Sequence, residues 1–166
     1  MIQMKQSSSN PLSRAPTMPA PLALPISLIP SVAHSAAMAK ILNRFFAPEI
    51  ADGELDFLDG KVMLIRIADA RVNIRLTLTG GKLKSVSSSR AEDLSIEGSV
   101  YDFLLLATRR EDADTLFFNR RLRLGGSTEL GLYVKNFLDG LELEGRLGPL
   151  LKVMNGATSF IGRFGR

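Results

Sequence analysis

The chain has 166 residues, 45% of them apolar, which suits one domain with tails and a core of its own. It contains no cysteine and one histidine, so disulfides, thiolate metal sites, a cysteine nucleophile and a histidine-built metal centre are all excluded. A formal charge of +4 favours anionic partners such as phospholipid headgroups or nucleic acid.

Residues 1–31 read as an arm. The start is polar and serine-rich, and Pro11, Pro16, Pro19, Pro21, Pro25 and Pro30 prevent a continuous helix. The apolar run over 20–39, with Ser35-Ala36-Ala37, imitates a signal peptide, and the uncharged stretch Ala15–Ala39 imitates a membrane span. The prolines argue against both, which leaves an apolar arm from Pro21 to Pro30 laid on the domain or on a membrane. The expected location is the cytoplasm, with membrane association as an addition.

A folded domain is expected over 32–144. Met38, Ile41, Leu42, Phe45 and Phe46 recur at helical spacing, and Pro48 ends or kinks that helix. Leu55–Leu58, Asp59-Gly60 and Lys61–Ile67 read as a hairpin around an Asp-Gly turn. Arg71–Leu78 alternates strictly, with Val72, Ile74, Leu76 and Leu78 inward, and Gly80-Gly81 turns into a weaker strand over Lys82–Val86. Leu94–Glu97 suits another strand. Ser99 and Asp102 form an acidic capping box before a helix carrying Val100, Phe103, Leu104 and Ala107 on one face.

The acids of Asp112–Phe118 favour a helix start, and Arg121–Leu124 alternates like a half-buried strand. Gly125-Gly126 is expected to break that strand, and Ser127 or Thr128 to cap a helix reaching about Leu143. Leu130, Tyr133, Val134, Phe137, Leu138 and Leu141 make its buried face, with Leu132 as an apolar surplus. Together these elements predict an α+β fold, an antiparallel sheet of about five strands with helices over one face. Residues 145–166 differ: Arg146, Lys152, Arg163 and Arg166 stand among apolar residues with no acid. That pattern suits either an interfacial helix or a lid packed on the domain.

Residues able to do chemistry are few. His34 lies among small residues, and no Gly-x-Ser-x-Gly elbow presents a serine to it. Gly125-Gly126-Ser127-Thr128 lacks the lysine and loop length of a phosphate loop. Glu49, Asp52, Glu54, Asp56 and Asp59 fall at a helix end and a turn, where solvation is the simpler account. Arg109-Arg110 and Arg120-Arg121-Leu122-Arg123 either meet lipid headgroups or face water. Nucleic acid is disfavoured, because Phe117-Phe118 read as buried and no exposed aromatic is evident for stacking.

Asp114-Thr115-Leu116-Phe117-Phe118, Arg120-Arg121 and Thr128-Glu129-Leu130-Gly131-Leu132-Tyr133-Val134-Lys135-Asn136, with Asp52–Leu58, resemble the UbiT family. These are bacterial ubiquinone-biosynthesis accessory factors of the sterol-carrier-protein-type-2-like group. The resemblance covers about Ile41 to Glu144. It implies a lipid-binding domain without catalysis or cofactor, acting in oxygen-independent ubiquinone synthesis with UbiU–UbiV-type hydroxylase partners.

Three functions follow, none of them enzymatic. One is a carrier that shelters an isoprenoid quinone intermediate, lined by Phe103, Leu106, Phe117, Leu130, Val134, Phe137 and Leu138. The others are a phospholipid binder and a membrane-docked adaptor that gathers enzymes. Arg146, Lys152, Phe160, Ile161, Arg163 and Phe164 are the expected membrane or headgroup contacts. For each lining residue, ordinary core packing is an equal alternative.

Overall fold

The computed structural model describes Leu28 and residues 30–141. The rest of the proline-rich arm lies outside the described residues. So do the proposed tail contacts Arg146, Lys152, Phe160, Ile161, Arg163 and Phe164. Helix α1 (Ser31–Phe45) is followed by the short α2 (Ala47–Ala51), with Pro48 in its first turn. A proline there gives up no helical hydrogen bond, so Pro48 opens a helix after the first has ended. Next come a 3₁₀ turn at Asp56–Leu58 and strands β1 (Met63–Ile67), β2 (Val72–Thr79), β3 (Lys82–Ser85) and β4 (Leu94–Gly98). Helices α3 (Val100–Ala107) and α4 (Ala113–Phe118), strand β5 (Arg123–Gly126) and helix α5 (Thr128–Gly140) complete the described chain.

The five strands form one sheet in the order β3-β2-β1-β4-β5. The expected α+β class is found, with one difference in the sheet: β1 and β4 pair in parallel, and the other neighbours are antiparallel. After the β1-β2-β3 meander the chain crosses back to the far side of β1, so β4 enters in the direction of β1. Asp93 fastens this crossover. Its N–H donates to the Val62 carbonyl at 2.9 Å, and its carboxylate accepts from the Val62 N–H at 2.8 Å.

The β2 alternation is found: Val72, Ile74, Leu76 and Leu78 are buried. In register with them stand Met63, Ile65 and Ile67 on β1, then Leu94 and Ile96 on β4. Helix α1 packs on β2 and β3, and α5 packs on β5. The opposite face carries the ion pairs Arg66–Glu97 (3.0 Å) and Arg75–Glu92 (2.9 Å).

Four local expectations are corrected. Leu55–Leu58 is not a strand: Leu55 and Leu58 are both buried, and their three-residue spacing fits a 3₁₀ turn. The hairpin turn falls instead between β1 and β2, where Arg71 has φ 55°. Glu49 is buried, unlike the exposed Asp52, Glu54, Asp56 and Asp59. Gly125 and Gly126 do not break β5 but end it from within. A Cβ on Gly126, at φ 85°, would meet the Asp93 carbonyl oxygen at 2.5 Å, so only glycine lets the strand approach the crossover.

The fourth correction concerns Arg121, which lies before β5 and turns inward. Its Nε donates to Asp102 Oδ1 at 2.7 Å, a terminal nitrogen reaches Glu111 at 3.3 Å, and its guanidinium lies 5.5 Å from the Tyr101 ring centre. Asp102 completes the expected capping box of α3, accepting from the Ser99 N–H at 3.1 Å and the Ser99 hydroxyl at 2.6 Å. Asp102 is buried, so severing its partner strands a charge. Arg121→Met should lower the unfolding free energy by about 3 kcal/mol in urea titrations, near the low end for such a pair because the guanidinium keeps some solvent. Arg123→Met, on the exposed strand position, should change it by less than about 0.5 kcal/mol.

Asp112 caps α4, accepting from the Thr115 N–H at 2.7 Å and the Thr115 hydroxyl at 2.8 Å. These bonds, the backbone one foremost, hold its carboxyl below the usual range. A lowered folded-state pKa contributes stability that is complete above the unfolded value of about 3.9 and fades as pH falls through the lowered one. Asn is an equivalent cap that does not titrate. Wild type should therefore lose stability relative to Asp112→Asn as pH falls from about 5 through the carboxylate range, as followed by urea midpoints.

Candidate functional site

Not every inward residue of the sheet is sealed. Ile74 and Leu76 on β2 are 2% and 0% exposed, whereas Ile65 and Ile67 on β1 are only half-buried although they share that face. The cause is the helix spacing. Helix α1 sits over β2 and β3, α5 over β5 and the 3₁₀ turn, and the middle of the sheet faces a gap between them. The helices meet through side chains at the edge of this gap, where the Phe46 and Phe137 rings pack edge-on at 5.3 Å. The gap is a cavity of about 440 Å³.

Its walls are apolar. Helix α1 contributes Met38, Ile41, Leu42 and Phe45, the sheet Ile65, Ile67, Ile74 and Ile96, and α3 Val100, Phe103, Leu104, Leu106 and Ala107. Helix α5 adds Val134, Phe137 and Leu138, and Leu141 follows just after it. The charged lining residues are Arg109, Glu111, Asp112 and Asp139. Three of them stand on the α3–α4 connection and one on α5, so one rim of the cavity is polar.

That rim is largely balanced from within. Glu111 pairs with Arg121 at 3.3 Å, Asp112 caps α4, and Asp139 lies 4.0 Å from Lys135. Lys135 also bonds Asp114 at 2.6 Å, linking α5 to α4, and this bond raises its pKa. Among the described residues no cluster of three or more His, Cys, Asp or Glu is placed to hold a metal. His34 lies half-buried on α1 and is not part of the cavity wall.

Five of the seven lining residues expected from sequence face this cavity: Phe103, Leu106, Val134, Phe137 and Leu138. The other two go elsewhere. Leu130 is buried in the main core, and Phe117 packs on the separate cluster of Leu105, Leu116 and Leu122. Phe118 and Tyr133, both expected to be buried, are 90% and 47% exposed. Tyr133 lies on the edge of its face and stacks on Phe57 at 5.7 Å. Sequence reading missed the α1 and sheet contributions, because the same helical stripe and strand alternation describe a packed core equally well.

A family model, the SCP-2 sterol transfer family, matches residues 39–139. The ubiquinone biosynthesis accessory factor UbiT of Escherichia coli (strain K12) is 40% identical over 126 residues, covering 76% of this chain and 72% of that protein. UbiT of Escherichia coli O157:H7 aligns with the same identity and coverage. Among solved structures, a UbiJ-SCP2 ubiquinone synthesis protein superposes with a TM-score of 0.53 at 16% identity, over 64% of this chain and 94% of that one, a likeness of fold. The match over the domain and the identity across most of both chains place this protein in the SCP-2 sterol transfer family, among its UbiT-type members.

Proposed function

We propose that this protein is a non-catalytic accessory factor of ubiquinone biosynthesis whose cavity shelters the isoprenoid tail of a quinone intermediate. The apolar cavity of about 440 Å³ between α1, the sheet and α5 carries this reading. A hydrocarbon tail in water costs about 0.8 kcal/mol per methylene-sized unit, so apolar walls suffice to retain it. The rim supports a neutral head over a phosphate: among the described lining residues Arg109 is the one cation, and it is offset by Asp112, which pairs with no described cation. The rim carboxylates are occupied by Arg121, the α4 cap and Lys135, which leaves no poised acid–base pair. UbiT relatives supply the pathway. The family resemblance further motivates UbiU–UbiV-type hydroxylase partners, an oxygen-independent route and a cytoplasmic site of action. No described helix is long and apolar enough to cross a membrane.

Organic extraction of the purified full chain followed by mass spectrometry tests the proposal. A prenylated aromatic compound should be recovered, and Ala107→Phe, which places a ring in the cavity, should lower its amount about tenfold with the melting temperature nearly unchanged. Recovery of phospholipid in its place would reassign the cavity to a phospholipid carrier. A protein that carries no lipid and takes up none when offered prenylated phenol in detergent would end the carrier reading.

A further inference from the structure

The segment that bounds the cavity rim also carries the most protruding ring among the described residues. Phe118 ends α4 and is 90% exposed, while Leu116 two positions earlier is fully buried. The chain on either side of α4 carries arginines of two kinds. Arg121 is held by Asp102 and Glu111, but Arg109, Arg110, Arg120 and Arg123 are exposed and make no ion pair with described residues. Of the acids in the same segment, Glu111 pairs with Arg121 and Asp114 with Lys135, while Asp112 accepts only from the neutral cap groups of α4. The Arg121–Glu111 contact ties the α3–α4 connection to the stretch between α4 and β5. Arg109 and Arg120 also adopt left-handed backbone, with φ 54° and 57°, as the chain turns out of α3 and α4.

We infer that this segment is a docking surface for an anionic lipid bilayer, with Phe118 inserting at the interface and Arg109, Arg110, Arg120 and Arg123 meeting headgroups. A bilayer is favoured over a protein partner because one ring and scattered cations need no matching shape at an interface, whereas a protein contact is built on a contiguous apolar centre. Four arginines without an ion pair, against the one carboxylate of Asp112 that pairs with no described cation, leave the segment net positive, which complements an anionic leaflet. This goes beyond lipid storage, since docking requires neither an occupied cavity nor a quinone. It also places membrane contact in the domain itself, separately from the basic 145–166 tail.

Flotation of the full chain with phosphatidylcholine vesicles containing about one-third phosphatidylglycerol tests it. The wild type should float with these vesicles and far less with pure phosphatidylcholine. Phe118→Ser should weaken binding about tenfold, as expected for losing one inserted ring. Arg120→Ser with Arg123→Ser should weaken it by a similar factor and flatten its salt dependence. Because these side chains are exposed, melting temperatures and cavity-bound lipid should match wild type. Overturning results are wild-type levels of flotation in all the variants, which assigns any binding to another surface, and no wild-type flotation. Binding of single-stranded RNA that depends on Phe118, without vesicle binding, also overturns it. An empty cavity together with Phe118-dependent flotation would sink the carrier proposal and leave the docking surface standing.

Discussion

Asp102 is the fixed point around which the second half of the domain is arranged. One buried carboxylate closes the α3 capping box and receives the Arg121 guanidinium from the turn before β5. That pairing fixes where α3 starts and where the chain turns after α4. Through Glu111 it also fixes the α3–α4 connection, because the same guanidinium reaches both acids. Neither ion would be tolerated alone at this depth. The rim of the cavity and the entry into β5 therefore depend on one electrostatic knot, of which only Glu111 lines the cavity.

The cavity has a different origin, in layer geometry. A single helix layer over a five-stranded sheet must cover a surface wider than one helix, and α1 and α5 take opposite ends of it. Large side chains on both helices lean toward the gap, and the Phe46–Phe137 contact closes one part of it. What remains is a space between well-packed elements, so the strongly buried core under β2 and the half-buried residues of β1 coexist on one face. A cavity in such a place weakens the dispersion contacts of its walls, and a bound hydrocarbon restores them.

Most of the elements were legible because each announces itself over a few neighbouring residues. The Ser99–Asp102 box, the Val72–Leu78 alternation and the α5 stripe are local patterns; the first two are found, and the stripe is found except at Tyr133, which is exposed. The parallel β1–β4 pairing was not legible, since it depends on where a crossover returns, which no short pattern encodes. Arg121 was misread for a related reason: period-two alternation describes side-chain parity, and its true partner is nineteen residues away. Phe118 reads as buried from its company, Leu116 and Phe117, but a helix of six residues can bury only part of its circumference. The cavity residues divide the same way. Helical spacing placed Leu130 and Val134 on one face of α5, and both join the core, but it could not tell that only Val134 also reaches the cavity wall.

Volume connects the cavity to the surface beside it. Taking about 30 Å³ per heavy atom, as for liquid water, the space of about 440 Å³ holds about fifteen atoms, or three five-carbon units. A longer isoprenoid tail is then enclosed only in part, and the remainder must lie against other apolar matter. Under the proposed reading, a domain docked through Phe118 and its arginines has its polar rim, Arg109 to Asp112, next to the bilayer. The unsheltered part of the tail then stays in hydrocarbon while the head group is held at the protein. A cavity that encloses only part of a tail would be a defect in a freely diffusing carrier, but in a bilayer-docked one it is sufficient.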